Sequence, residues 1–358
     1  MNVKSQLSTL KAYTPGKTTD EVKKEYQLEK IVKLASNENP YGCSPNVLKA
    51  ISQTNTLAIY PDGAAAELKK AVAEHLGVDQ AKLIFSSGLD ELIQIISRAV
   101  LSPEANTVMA SETFSQYRHH AIIEGAEVRE IPLLEGVHDL DKMAEAIDEN
   151  TKLVWICNPN NPTGTYVAKE DLLRFLDKVP NNVLVVVDEA YYEYVTINDY
   201  PQTIPLLDKY ENLLVMRTFS KAYGLAGIRI GYGVASPALI NKLDIVRLPF
   251  NTSSLAQTAA IAALEDPEFI EECVIINTNE LQKYYHFFDQ QQISYYPSQT
   301  NFIFLQLSKP AIEEMFQQLL EKGWIVRKFP KGIRITIGTE QENEELLKIL
   351  KEVIPCIQ

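Results

Sequence analysis

The run "NVLVVVDEAYYEY", Asn182 to Tyr194, decides the architecture. From Val183 to Val187 every residue is apolar, with no polar alternation. A strand with one wet face would alternate, so this one reads as buried on both faces. It ends on a carboxylate, Asp188, with Tyr191 just beyond. The same form recurs on either side. "KLIFSSG" (82–88), "NTVMASETF" (106–114), "AEVREIPL" (126–133), "KLVWICNPNNPTG" (152–164), "NLLVMRTFSK" (212–221) and "IRIGYGVA" (228–235) are strands running into loops. Between them lie segments of helical period: Ala66–Gly77, Asp90–Leu101, "HDLDKMAEAID" and "KEDLLRFLDKV". Strands alternating with helices predict an α/β fold with a mostly parallel sheet in a large domain.

After about Leu255 the texture changes. Helical stretches at Ala256–Glu265 and Pro267–Gln291 lead to "QTNFIFLQL", a helix at Ala311–Lys322, the strands "GWIVRKF" and "GIRITIG", and a last helix from Gln341 to Val353. That predicts a smaller α+β domain. The expected division is a large domain over 46–255 and a small domain built from both ends, 1–45 and 256–358.

The chain has 358 residues, enough for about two domains. Its net charge of −13 argues against nucleic acid and anionic membrane, both of which reward a basic face. A small anionic ligand stays open, because it needs only a local cluster of donors. Cys43, Cys157, Cys273 and Cys356 are scattered without a CxxC pair. Neither a metal site nor a disulfide framework is expected, and a reducing cytoplasm fits. No signal peptide or membrane span is expected from the apolar runs.

In open parallel sheets, ligands bind beyond the carboxyl ends of the strands. Those ends deliver Gly88 with a helix start at Leu89 and Asp90, the ring of Phe114, the amide of Asn161, Asp188 with Tyr191, and Thr218, Ser220 and Lys221. Arg229 follows in "SKAYGLAGIRIG". Singly, most have an ordinary reading: Asp188 as a helix cap, "NPNNPTG" as a turn, Phe114 as core. Jointly they suit a flat, phosphorylated, nitrogen-containing ring. Free N–H groups of the helix start, two hydroxyls and a guanidinium suit a phosphate. Phe114 can stack on the ring, Asp188 can pair with a ring N–H⁺, Asn161 and Tyr191 can bond a ring oxygen, and Lys221 can react with an aldehyde. Pyridoxal 5′-phosphate (PLP) needs all of these.

The motifs "KLASNENPYG" (33–42), "YPDG" (60–63), "NPNNPTG", "DEAYYEY", "SKAYGLAGIRIG" and "RITIGT" (334–339) resemble those of fold-type I PLP-dependent aminotransferases, specifically the histidinol-phosphate aminotransferase family. The resemblance covers essentially the whole chain. It implies Lys221 as the Schiff-base lysine and proton shuttle, Asp188 on the pyridinium, Tyr191 and Asn161 on the ring hydroxyl, and Phe114 on the ring face. It implies that Leu89, Asp90, Thr218, Ser220 and Arg229 hold the cofactor phosphate. Tyr60 would reach the partner subunit's cofactor in a homodimer. Arg334 and Arg327 would bind the anionic ends of glutamate and histidinol phosphate, with Tyr13 and Asn37 closing the pocket. The implied reaction is a ping-pong transamination in histidine biosynthesis.

Two departures from the family pattern stand out. The phosphate turn is "SSGLDE", with Leu89 where a small polar residue is usual. The segment "RKFPKGIR" is shorter than is typical. Rival readings within the superfamily are an aromatic amino-acid aminotransferase and a threonine-phosphate decarboxylase. A non-catalytic PLP-binding regulator would need a DNA-binding module, and no basic helix-turn-helix segment is visible. An NAD-dependent dehydrogenase is disfavoured, because no GxGxxG follows a first strand.

Overall fold

A computed structural model describes residues 3–12, 17–55 and 57–356. Tyr13 lies outside the described residues. A seven-stranded sheet forms the centre. Its order is Leu83–Ser86, Gly231–Ala235, Leu213–Thr218, Leu184–Asp188, Thr151–Cys157, Asn106–Ala110 and Glu127–Ile131. Gly231–Ala235 pairs antiparallel with both of its neighbours, and the other pairings are parallel.

Alternation along the apolar runs explains why they are continuous. Val185 and Val187 join a core on one face with Val154, Ile156 and Val215. Leu184 and Val186 join a second core on the other face with Leu153, Trp155 and Met216. Successive side chains of a strand point to opposite faces, so a strand covered on both sides has no place for a polar residue. Asp188, two residues beyond Val186, falls on the second face.

A second, four-stranded antiparallel sheet orders Arg327–Phe329, Gly332–Thr336, Phe302–Gln306 and Tyr295–Tyr296. The helices Pro267–Gln291, Lys309–Glu321 and Glu340–Val353 supply the rest of its core through Leu281, Phe288, Met315, Leu346 and Leu350. The N-terminal segment joins this body: Val32–Lys33 pairs in parallel with Trp324–Ile325, and Val22 packs with Leu320. Earlier residues reach the other body, where Lys4 and Gln6 donate to the carbonyl of Ile123.

Four helices lie outside the sequence expectation: Thr19–Tyr26, Pro45–Ser52, Gln116–Glu124 and Pro237–Val246. The first carries a capping box, with Thr18 and Glu21 satisfying each other's backbone N–H groups. Ser44 and Ser236 cap the second and fourth, each followed by proline at the first helical position. Among the described residues no helix is long and apolar enough to cross a membrane.

Candidate active site

A cavity of about 560 Å³ opens beyond the carboxyl ends of the large sheet. It is lined by Leu89, Asp90, Phe114, Asn161, Asp188, Tyr191, Thr218, Ser220, Lys221 and Arg229 from the large body, and by Asn37, Arg327 and Arg334 from the other. Of the residues to which the resemblance gives a role, only Tyr60 among the described ones stands elsewhere. It is 79% exposed and stacks on Phe250 with ring centroids 4.8 Å apart.

The end of the cavity beside Arg229 is built on glycine. Gly88 takes φ +79° and precedes the helix Leu89–Val100. A Cβ there would collide with the Arg229 guanidinium, so glycine lets the arginine lie against the helix start. The N–H groups of the first helical turn have no partner within the helix, and the helix dipole adds positive potential there. Thr218 accepts from the Ser220 N–H at 3.1 Å, which fixes the turn carrying both hydroxyls.

Leu89 packs its side chain into the apolar cluster with Leu92 and Met216, against Gly231. The departure from the family pattern thus trades a hydroxyl for core packing and leaves the backbone N–H in place. Leu89→Ser is expected to tighten PLP binding while costing about 2–3 kcal/mol of apoenzyme stability, as truncation of a buried leucine does. Equal PLP dissociation constants would contradict the first half, and an unchanged unfolding midpoint the second.

Asp188 is buried at the end of the central strand. It accepts from the Tyr117 hydroxyl at 2.6 Å and from the Ala190 N–H at 3.1 Å. Burial pushes its pKa up to about 6, and the Tyr117 hydrogen bond opposes that rise. Lys221 donates to the carbonyl of Ser36 at 3.0 Å. Desolvation and the Arg334 guanidinium bring its pKa down to about 8. Asn37, held at φ +58°, donates from its amide to the Tyr191 hydroxyl at 2.8 Å, and its main-chain carbonyl accepts from Asn301. Burial raises the Tyr191 pKa, so its phenol keeps its proton.

Arg334 donates to the side-chain oxygen of Asn161 at 2.5 Å and to the carbonyl of Ala35 at 2.7 Å. With its oxygen engaged, Asn161 has its N–H₂ left to donate. The short "RKFPKGIR" segment is a hairpin in which Phe329 faces Gly332 and Arg327 faces Arg334. Directly opposed residues of an antiparallel pair share a face, and like charges there repel. Both side chains line the cavity, so this wall offers two guanidiniums to an anion. The chain is acidic as a whole, yet this wall is cationic.

Sequence reasoning missed Tyr117, which stands three residues after Phe114, in the first turn of the helix Gln116–Glu124. It also missed Thr113, Cys157, Ser36 and the Lys17–Thr19 segment, all of which line the cavity.

These residues fit PLP: a glycine cradle against an arginine, a buried carboxylate, and a lysine with a lowered pKa meet in one cavity. The site and fold are those of a PLP-dependent transferase. A family model for aminotransferase class I and II matches residues 29–350. Histidinol-phosphate aminotransferase 1 of Bacillus cereus is 59% identical, over 99% of this chain and 97% of that one. Histidinol-phosphate aminotransferase of Bacillus velezensis is 55% identical, over 99% and 100%. The crystal structure of histidinol-phosphate aminotransferase from Sinorhizobium meliloti in complex with pyridoxal-5′-phosphate superposes with a TM-score of 0.92 at 29% identity, covering 99% of this chain and 98% of that one. The chain belongs to the class I and II aminotransferases and, within them, to the histidinol-phosphate aminotransferase family.

Proposed function

We propose that this chain carries an amino group from glutamate to imidazole acetol phosphate, giving 2-oxoglutarate and L-histidinol phosphate in histidine biosynthesis. The observation that carries the substrate side is the facing pair Arg327 and Arg334. Guanidinium forks suit both a carboxylate and a phosphate ester, the anionic ends that the two half-reactions present in turn. PLP, when bound, supplies an aldehyde for the incoming amine and a protonated ring that draws in the electron pair released at the substrate Cα.

The chain's own residues have the following work in this reading. Lys221 joins the cofactor and moves the proton between the substrate Cα and the cofactor's C4′. A pKa near 8 gives it a useful neutral fraction at physiological pH, which a proton acceptor needs. Asp188 holds the ring nitrogen's proton. Asn161 and Tyr191 bond the ring oxygen, and Phe114 covers one ring face. Leu89 and Asp90 through their N–H groups, Thr218, Ser220 and Arg229 hold the phosphate. Asn37 closes the pocket.

Steady-state rates with histidinol phosphate, phenylalanine and threonine phosphate test the substrate assignment. Transamination of histidinol phosphate should dominate. A preference for phenylalanine, or release of carbon dioxide from threonine phosphate, would overturn it in favour of one of the rivals.

We further propose a homodimer in which Tyr60 completes the partner's phosphate site. Tyr60, Leu57, Ile59, Leu248 and Phe250 are all exposed apolar residues of the large body. Mixing Tyr60→Ala with Lys221→Ala under subunit exchange checks this. A mixed dimer carries one site with both residues intact, so activity should recover to about a quarter of wild type when half the dimers are mixed. If Tyr60 served its own subunit, mixing would recover nothing.

The domain division is drawn at 46–255, with one adjustment. Ala256, Ala259 and Ala263 pack in the large-sheet core, so the helix Ser254–Leu264 goes with the large domain. Cytoplasmic residence suits the free thiols of Cys43, Cys157 and Cys273.

A further inference from the structure

We propose that Tyr117 is a positioning residue for the cofactor ring, acting through Asp188 and Phe114. The proposal rests on the reading that Asp188 faces the ring nitrogen. Tyr117 is fully buried on the helix Gln116–Glu124. Its ring lies flat on Trp155, with centroids 4.6 Å apart and planes 7° apart. It meets Phe114 near perpendicular, with ring centroids 5.6 Å apart. One rigid side chain thus touches both the group that would hold the ring nitrogen and the group that would cover the ring face.

The direction of the hydrogen bond is fixed. Burial and the adjacent Asp188 carboxylate hold the Tyr117 pKa well above that of an ordinary phenol. The hydroxyl therefore keeps its proton and donates it, while the carboxylate accepts. A buried carboxylate favours its neutral form unless donors compensate for lost water. Asp188 has two such donors, the Ala190 N–H on one oxygen and the Tyr117 hydroxyl on the other. Only the ionised form can pair with a ring N–H⁺. Tyr117 thus supports the charge that Asp188 needs, and the stack on Trp155 fixes where the hydroxyl points.

Tyr117→Phe removes the hydroxyl and keeps the ring. Two quantities are read: the PLP dissociation constant, and the ¹⁵N shift of the ring nitrogen in labelled PLP bound to the enzyme. The dissociation constant should rise about 10- to 100-fold, the loss expected for a hydrogen bond to a charged group. The ¹⁵N signal should move from the protonated toward the unprotonated position. Asp188→Asn should move it fully, and in that background Tyr117→Phe should add nothing. A role in packing alone predicts no movement of the signal, because Tyr117→Phe keeps the ring. Wild-type affinity and shift in Tyr117→Phe, beside a displaced signal in Asp188→Asn, would overturn this proposal alone. An undisplaced signal in Asp188→Asn would overturn the reading of Asp188 as well.

Discussion

Lys221→Ala should give a folded protein whose transamination rate falls by at least about ten-thousand-fold, the upper range for loss of a positioned acid–base group. The lysine is assigned two tasks, bond formation with the cofactor and proton transfer, and it lines the cavity. Lys17 and Lys33 also line it, but each is paired with a carboxylate, Glu25 and Glu38 respectively. Borohydride should fix the cofactor to Lys221 in the wild type and to nothing in the variant. Near wild-type turnover would refute the assignment. The same residue sets a pH dependence in the apoenzyme. Its pKa is lowered from 10.5 to about 8, and only the neutral amine reacts with an acylating reagent. Labelling of Lys221 should therefore rise as pH climbs through about 8, and Arg334→Gln should move that midpoint upward. A midpoint at the ordinary lysine value would contradict the electrostatic account of the cavity.

Arg334→Lys is expected to lower kcat/KM by roughly 100- to 1,000-fold for glutamate and for histidinol phosphate alike, since a fork of two charge-assisted hydrogen bonds is lost. Lysine keeps the charge but cannot reach Asn161, Ala35 and a ligand in one plane, as the guanidinium can. The effect should appear mainly in KM if the arginine binds ground state and transition state equally. A loss confined to one substrate would assign Arg334 to that substrate alone. Unchanged constants for both would remove it from the site.

The strand ends were legible because each combines two strong signals, an apolar run buried on both faces and an abrupt polar stop. "VLVVVD" and "LLVMRTFSK" are readable for that reason, and their end residues line the cavity. The antiparallel sense of Gly231–Ala235 was not, because its run is as apolar as its neighbours' and pairing direction leaves no trace in composition. Gln116–Glu124 was missed because its apolar residues mark no clear face, although the helix buries Tyr117 and Ala121. Thr18 to Glu21 did carry a readable capping box. The short hairpin could be counted from sequence, but the opposition of Arg327 and Arg334 depends on register. Roles that act through a neighbour, as at Tyr117, need coordinates, because nothing in a linear spacing says that a phenol will meet a carboxylate 71 residues away.

The opposed arginines also tie ligand occupancy to the folding equilibrium. The two arginines stand opposite each other only when that hairpin is closed, so the pair exists in the native state alone. A small oxyanion that bridges them binds the native state and not the unfolded chain. By mass action it must raise the unfolding temperature, and the rise must grow with the logarithm of its concentration once the site is half filled. On the role proposed for this pair, phosphate and sulfate are expected to act as thermodynamic ligands as well as buffer components. The melting curve, with no substrate and no cofactor chemistry, then tests the proposed anion site.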